Sequence, residues 1–184
     1  MVAVEPQTFL ERHDERADFN QYWYSGSTIS ALVQEILDAA PAGDKVAFLS
    51  TPSLFYSLPE NAVLLDYDEA SFGTSPAFVR YDYNAPEQLP EKLAGSCGML
   101  VIDPPFITEP VWRQYARTAA LLLAPGGRVI CSTVAENAPL MAELFGATAC
   151  AFKPAIPHLV YQYSLFCSYA PTALSQGNPE VPDE

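Results

Sequence analysis

The segment Asp103-Pro104-Pro105-Phe106 follows the apolar run Cys97-Gly98-Met99-Leu100-Val101-Ile102, and its residue types could do chemistry. Two successive prolines lack backbone N–H groups, so the segment can neither extend a ladder nor enter a helix interior, and it is stiff. Its carbonyls are left to accept hydrogen bonds, the Asp103 carboxylate sits beside them, and Phe106 offers a flat apolar face. Such a corner can hold an amino group by two N–H donors and pack against whatever carries it. A plain Pro-Pro turn with a capping Asp is the alternative. Placement after a buried strand favours the chemical reading, because open α/β sheets bind ligands beyond the carboxyl ends of their strands.

The same rule selects the other candidates. Leu65-Asp66-Tyr67-Asp68 ends an apolar run, and an acid here commonly accepts hydrogen bonds from ribose hydroxyls; a solvated strand end is the plainer reading. Tyr81-Asp82-Tyr83-Asn84 sets an acid beside aromatics, able to grip an adenine amino group and stack on its ring, or simply to form an Asx-capped turn. Where a glycine-rich loop is expected after the first strand stands Ser50-Thr51-Pro52-Ser53, which suits a ligand without phosphate better than one with it. Gln21-Tyr22-Trp23-Tyr24-Ser25 places three aromatics in a row, and these cannot all face one core, so some are expected to line a cleft or clamp the first helix. His13 reads as solvated and His158 as a loop residue. Neither has a second His or a Cys pair nearby, so no metal site is expected.

These candidates need a scaffold, and the hydrophobic pattern supplies one. Ile29, Leu32, Val33, Ile36 and Leu37 recur at helical spacing and predict a helix over Ser27–Ala40, capped at Ser25 or Ser27 and ended by Pro41 and Gly43. Short, near-continuous apolar runs predict strands over 45–50, 62–66, 77–81, 97–103 and 128–132, with two more at 149–152 and 163–169. Helices are predicted over 110–123 and 136–145, the first opening on Pro110 and the second ending at Gly146. Alternating strand and helix implies a doubly wound α/β domain over 19–170. The proline-rich connection after the sixth strand implies a long loop leading to an antiparallel edge strand. Residues 1–18 read as a polar, mobile or loosely helical tail, and 171–184 as a disordered one.

Composition narrows the partners. The chain has 184 residues, 49% hydrophobic and 17% charged, a globular balance that one domain can satisfy. Its formal net charge is −13, from 22 acidic and 9 basic residues, and no two basic residues are adjacent. That argues against a nucleic-acid partner, which needs a basic stripe, and favours a basic protein. Cys97, Cys131, Cys150 and Cys167 form no CxxC pair and read as reduced core thiols of a reducing compartment, the cytoplasm. An acidic opening stretch argues against a transit peptide, and no apolar run is long enough to span a membrane.

Taken in order, Gln21-Tyr22-Trp23-Tyr24-Ser25, Ser50-Thr51-Pro52-Ser53, Asp66-Tyr67-Asp68, Tyr81-Asp82-Tyr83-Asn84, Leu89-Pro90-Glu91 and Asp103-Pro104-Pro105-Phe106 resemble the eukaryotic elongation factor 1-alpha lysine methyltransferase family. That family was earlier labelled as N6-adenine-specific DNA methyltransferases for its Asp-Pro-Pro-aromatic motif. The resemblance runs from about Phe19 to Tyr169. It implies a seven-stranded, Rossmann-like class I methyltransferase fold, mostly parallel with one antiparallel edge strand. It also implies S-adenosylmethionine as methyl donor and a lysine of elongation factor 1-alpha as acceptor. On this resemblance Asp103 and the Pro104 carbonyl would accept the amine's N–H groups, with Pro105 stiffening the corner and Phe106 on the lysine stem. Asp66 or Asp68 would hold the ribose, and Asp82 with Tyr83 the adenine. Ser50 and Ser53, in the segment with Thr51 and Pro52, would lie near the methionine end, and Trp23 and Tyr24 would close the site. Two other readings stand beside it: an adenine N6-methyltransferase, and a catalytically silent scaffold subunit with the same fold.

Overall fold

The computed structural model describes residues 5–41, 43–58 and 60–182. Its centre is a seven-stranded sheet in the order β3-β2-β1-β4-β5-β7-β6. The strands are β1 Lys45–Leu49, β2 Ala62–Asp66, β3 Phe78–Arg80, β4 Cys97–Ile102, β5 Leu123–Val134, β6 Thr148–Ala149 and β7 Tyr163–Cys167. β1 through β5 pair in parallel, while β7 runs antiparallel to β5 and to the two-residue β6 outside it. The antiparallel strand expected at the edge is therefore present, with β6 covering its outer side.

Helices cover both faces, which is why the central runs are apolar without alternation. They are α1 Pro6–Arg12, α2 Gly26–Ala39, α3 Pro52–Ser57, α4 Glu69–Phe72, α5 Glu109–Leu122 and α6 Ala138–Phe145. Val46, Phe48 and Leu64 point to one layer with Ile29, Leu32 and Ile36 of α2, and Ala47, Leu49 and Leu65 to the other with Trp112, Ala119 and Leu122 of α5. Ser25 caps α2, its hydroxyl accepting from Thr28 N at 3.1 Å, an interaction typically worth about 1 kcal/mol. α6 ends at Gly146, whose φ of +61° a side chain rarely adopts. Among the described residues no helix is long and apolar enough to cross a membrane.

Four differences from the pattern-based reading have local causes. The turn Pro125-Gly126-Gly127 lies inside β5 as an irregularity: pairing with β4 jumps from Cys97↔Leu123 to Met99↔Arg128, and Gly126 takes φ +78°. α3 replaces the loop expected after β1; its six residues are too few to show a period, and it is buried nearly all round. The lead segment is not a loose tail: α1 inserts Phe9 into the core, and His13 stacks on Phe9 at 4.6 Å and Tyr56 at 5.7 Å instead of standing in water. The stretch after 170 is also held. Glu35, fully buried on α2, accepts from Thr172 N at 3.0 Å and Leu174 N at 3.1 Å, and Asn178 Nδ2 donates to Lys153 O at 2.8 Å. Residues 1–4 and 183–184, the outer ends of the two expected tails, lie outside the described residues.

Candidate active site

A cavity of about 280 Å³ opens where β1 to β4 end. Parallel strands point their carboxyl ends the same way, so each delivers one polar residue: Ser50 after β1, Asp66 at the end of β2, Asp82 beyond β3 and Asp103 beyond β4. The lead-in residues 18–23 and Ile156, Leu159 and Tyr163 around the β6–β7 connection complete the walls.

Asp103 is the most perturbed acid of the site. Its Oδ2 accepts from Tyr24 Oη at 2.7 Å. Burial pushes its carboxyl up to about 7, with the Tyr24 hydrogen bond pulling the other way. Burial and the Asp103 charge together raise the Tyr24 phenol, so it stays a donor. Pro104, Pro105 and Phe106 line the cavity beside it, Phe106 half exposed. The Pro105 carbonyl accepts from Asn20 Nδ2. Asn20 has φ +51°, a left-handed conformation that Asn tolerates better than most residues. The turn around it is closed by Asn20 N to Ala17 O at 3.1 Å and Gln21 N to Arg16 O at 3.0 Å.

The acids after β2 divide their work. Asp66 Oδ1 accepts from Asp68 N at 2.8 Å, and burial raises the Asp66 carboxyl to about 6 against the pull of backbone N–H groups. Asp68 Oδ1 caps α4 by accepting from Ser71 N at 3.1 Å. Its Oδ2 is buried without a hydrogen-bond partner, and Arg16 Nη1 stands 3.9 Å away, too far to donate. A buried carboxylate oxygen left so is an acceptor awaiting a donor. Asp82 forms the Asx turn, taking Asn84 N at 2.9 Å, and lines the cavity as well. The Tyr83 ring stacks on Tyr115, centroids 5.9 Å apart at 30°.

Of the Ser50-Thr51-Pro52-Ser53 segment, only Ser50 reaches the cavity. It takes the glycine-like φ of +59°, and its hydroxyl lies 2.7 Å from Tyr115 Oη. Thr51, Pro52 and Ser53 do not reach it: they enter α3 and are buried in the body of the domain. The aromatic triplet splits as its crowding requires. Tyr22 and Trp23 line the cavity, with Trp23 Nε1 donating to His13 O at 2.9 Å, while Tyr24 reaches Asp103 from within the core.

Several lining residues escaped sequence reasoning. Tyr115 sits on the buried stripe of α5 with Trp112 and Ala119, and its spacing reads as core. Tyr81, by contrast, belongs to the segment expected at the site, and its hydroxyl lies 2.7 Å from Thr118 Oγ1. Asn20, Ile156 and Leu159 carry no local signal. The electrostatic pattern is clear once assembled: among the described lining residues five are aspartates (Asp18, Asp66, Asp68, Asp82, Asp103), and none is Lys, Arg or His.

Comparison with known proteins places this geometry in a family. The model of a probable N6-adenine methyltransferase family matches residues 15–171. EEF1A lysine methyltransferase 1 of Mus musculus is 32% identical over 148 residues, which is 77% of this chain and 68% of that protein. The protein-lysine N-methyltransferase EFM5 of Saccharomyces cerevisiae is 32% identical over 117 residues, 58% of this chain and 47% of that protein. Among solved structures, the branched-chain polyamine synthase of Thermus thermophilus, in complex with N4-aminopropylspermidine and 5'-methylthioadenosine, aligns with a TM-score of 0.61 at 16% identity, covering 89% of this chain and 62% of that one. Aeropyrum pernix fibrillarin with bound S-adenosyl-L-methionine aligns with a TM-score of 0.50 at 12% identity, covering 76% and 73%. The fold is that of the class I methyltransferases, and the chain belongs to the EEF1A lysine methyltransferase family, whose sequence model carries the description of a probable N6-adenine methyltransferase.

Proposed function

We propose that elongation factor 1-alpha supplies the lysine to which this S-adenosylmethionine-dependent protein-lysine methyltransferase adds its methyl group. The names of the sequence relatives support a protein lysine over an adenine base as acceptor. The observation that carries the reading is the cavity wall: among its described lining residues five are aspartates and none is Lys, Arg or His, and Arg16, outside the lining, pairs with Asp18 at 2.6 Å and stands 3.9 Å from Asp68. Such a wall attracts a sulfonium and an ammonium and repels phosphates. Four free cysteines suit a reducing compartment, which supports the cytoplasm as the site of the proposed reaction.

The residues present fit the cofactor. Asp68 Oδ2, buried and without a hydrogen-bond partner, is suited to a ribose hydroxyl, with Asp66 beside it. Asp82 and Tyr83, which line the cavity, would hold the adenine, and Ser50 would lie near the methionine end. Bound S-adenosylmethionine supplies a methyl group on a positively charged sulfur. The chain's own part is to position and desolvate the amine. A lysine ammonium, with an unperturbed pKa of about 10.4, must first lose a proton. That proton passes to solvent before the amine is enclosed, desolvation favouring the neutral amine. Asp103, pushed up to about 7 by burial and accepting from Tyr24, then serves as the carboxylate acceptor for an N–H of the amine, with the Pro104 carbonyl as the second acceptor. Phe106, half exposed in the cavity wall, would pack on the lysine stem.

The test is transfer of labelled methyl groups from S-adenosylmethionine to elongation factor 1-alpha, unmethylated duplex DNA and RNA offered in parallel. Label on a lysine of the elongation factor, lost in Asp103→Ala, is the expected result. Label on nucleic acid alone would replace the lysine reading with the adenine one.

A further inference from the structure

The connection between β6 and β7, residues 150–162, is pinned on its inner side and holds two large apolar side chains, Val160 and Tyr161, on its outer side. Ser25 N donates to Ala155 O at 2.8 Å, Ala155 N to Thr28 Oγ1 at 3.0 Å, and Gln162 Nε2 to Pro154 O at 2.9 Å. His158 Nδ1 meets Glu15 Oε2 at 2.8 Å, tying the connection to the lead-in segment. Pro154 and Pro157 stiffen the path further. Ile156, Leu159 and Tyr163 face the cavity. Between Leu159 and Tyr163, Val160 is 90% exposed and Tyr161 68% exposed, the two highest values among the large hydrophobic residues described. Phe106, half exposed, belongs to the same cavity wall.

A rigid loop that holds two large apolar side chains in water beside a reaction cavity has not spent them on its own core. Exposed apolar groups at a polar rim mark interaction sites, and aromatic side chains on rigid backbone make contacts at low entropic cost. The charge of the face selects the partner. The cavity wall carries five aspartates, and the whole chain carries −13, so a second copy of this chain would be repelled and a basic protein surface attracted.

Resting on the lysine methyltransferase reading, we infer that Val160 and Tyr161 form a docking ledge for the protein substrate. They pack against an apolar side chain that neighbours the acceptor lysine on a basic surface. The acidic wall draws the lysine in, and the ledge sets which lysine is presented, so the ledge governs substrate affinity and leaves the chemical step alone.

The experiment compares the full chain with Val160→Ser/Tyr161→Ser, a surface change that spares the pinned inner contacts. Steady-state methylation is measured on elongation factor 1-alpha and on an array of lysine peptides whose flanking residues are apolar or serine. The expected result is a KM at least tenfold higher for the variant, kcat within twofold, unchanged S-adenosylmethionine affinity by calorimetry, and loss of the preference for apolar flanks. Wild-type activity on lysine with the same KM in both proteins would overturn the ledge alone. Absence of label on every lysine acceptor would overturn the methyltransferase reading, and the ledge with it. A wild-type dimer in sedimentation that the double substitution dissociates would assign the ledge to a second copy and overturn the inference.

Discussion

Tyr24 Oη lies 2.7 Å from Asp103 Oδ2, a contact between residues 79 positions apart that joins the lead into α2 to the end of β4. The hydrogen bond favours the ionised carboxylate, and burial opposes it. Tyr24→Phe removes the donor and keeps the ring. The Asp103 carboxyl then titrates higher still, so the rise of kcat/KM with pH moves to more alkaline values. Activity at neutral pH falls about tenfold to a hundredfold, a hydrogen bond to a charged group being worth about 1.5–3 kcal/mol. A pH–rate profile of the two proteins checks this.

Stability carries the same signature. Asp103 titrates at about 7 and Asp66 at about 6 in the folded chain, both raised by burial, against about 3.9 in an unfolded chain. Below pH 4 both states hold these protons. As pH rises through 4 to 7 the unfolded chain releases them first, so stability falls. The ligand-free protein therefore melts at lower temperature at pH 8 than at pH 5, and Asp103→Asn flattens part of that slope. Thermal melts across pH measure it.

Asp68 caps α4 and, on the proposed function, accepts from the cofactor, and substitution can separate the two. Asn is as good a helix cap as Asp, so Asp68→Asn keeps α4 and removes the charged acceptor at Oδ2. S-adenosylmethionine affinity is expected to fall about tenfold or more with melting little changed. Asp68→Ala loses the cap as well, at a further cost of about 1 kcal/mol. Calorimetric titration and a melt of each variant distinguish the two.

Asn20 holds the Pro105 carbonyl through its side-chain amide while its own backbone sits at φ +51°. Asn20→Gly keeps that backbone conformation without strain and deletes the amide. If the amide sets the position of the Asp103-Pro104-Pro105 corner, kcat falls about tenfold in both Asn20→Gly and Asn20→Ala, because small displacements of a reacting group are costly. Cofactor affinity stays near wild type. Recovery of full kcat by the glycine variant would assign the role to the backbone instead.

Glu35 is the clasp of the C-terminal segment. In Glu35→Ala the N–H groups of Thr172 and Leu174 lose their acceptor. The expected cost is about 2–6 kcal/mol, from two donors at about 1–3 kcal/mol each. Glu35→Gln retains one acceptor oxygen and loses less. Urea denaturation gives both values.

The sequence by itself determined the layered α/β plan and the acids at the ends of β2, β3 and β4. Apolar runs such as Met99-Leu100-Val101-Ile102 and the 3.6-residue stripe of Ile29, Leu32 and Ile36 are local patterns, and a parallel sheet sends every strand end to the same side. The tertiary structure alone decided what lay across long separations. Asn20 meets Pro105 over 85 residues and Glu35 meets Thr172 over 137, and neither pairing leaves a trace in spacing. It also decided burial where composition misleads. Thr51 and Ser53 look available but pack into α3, and polar residues 5–18 surround one buried anchor, Phe9. Val160 and Tyr161, in the loop expected after the sixth strand, stand in water. Local pattern records the period of a chain, whereas the partner of each side chain depends on how distant segments share one volume, and only folding settles that.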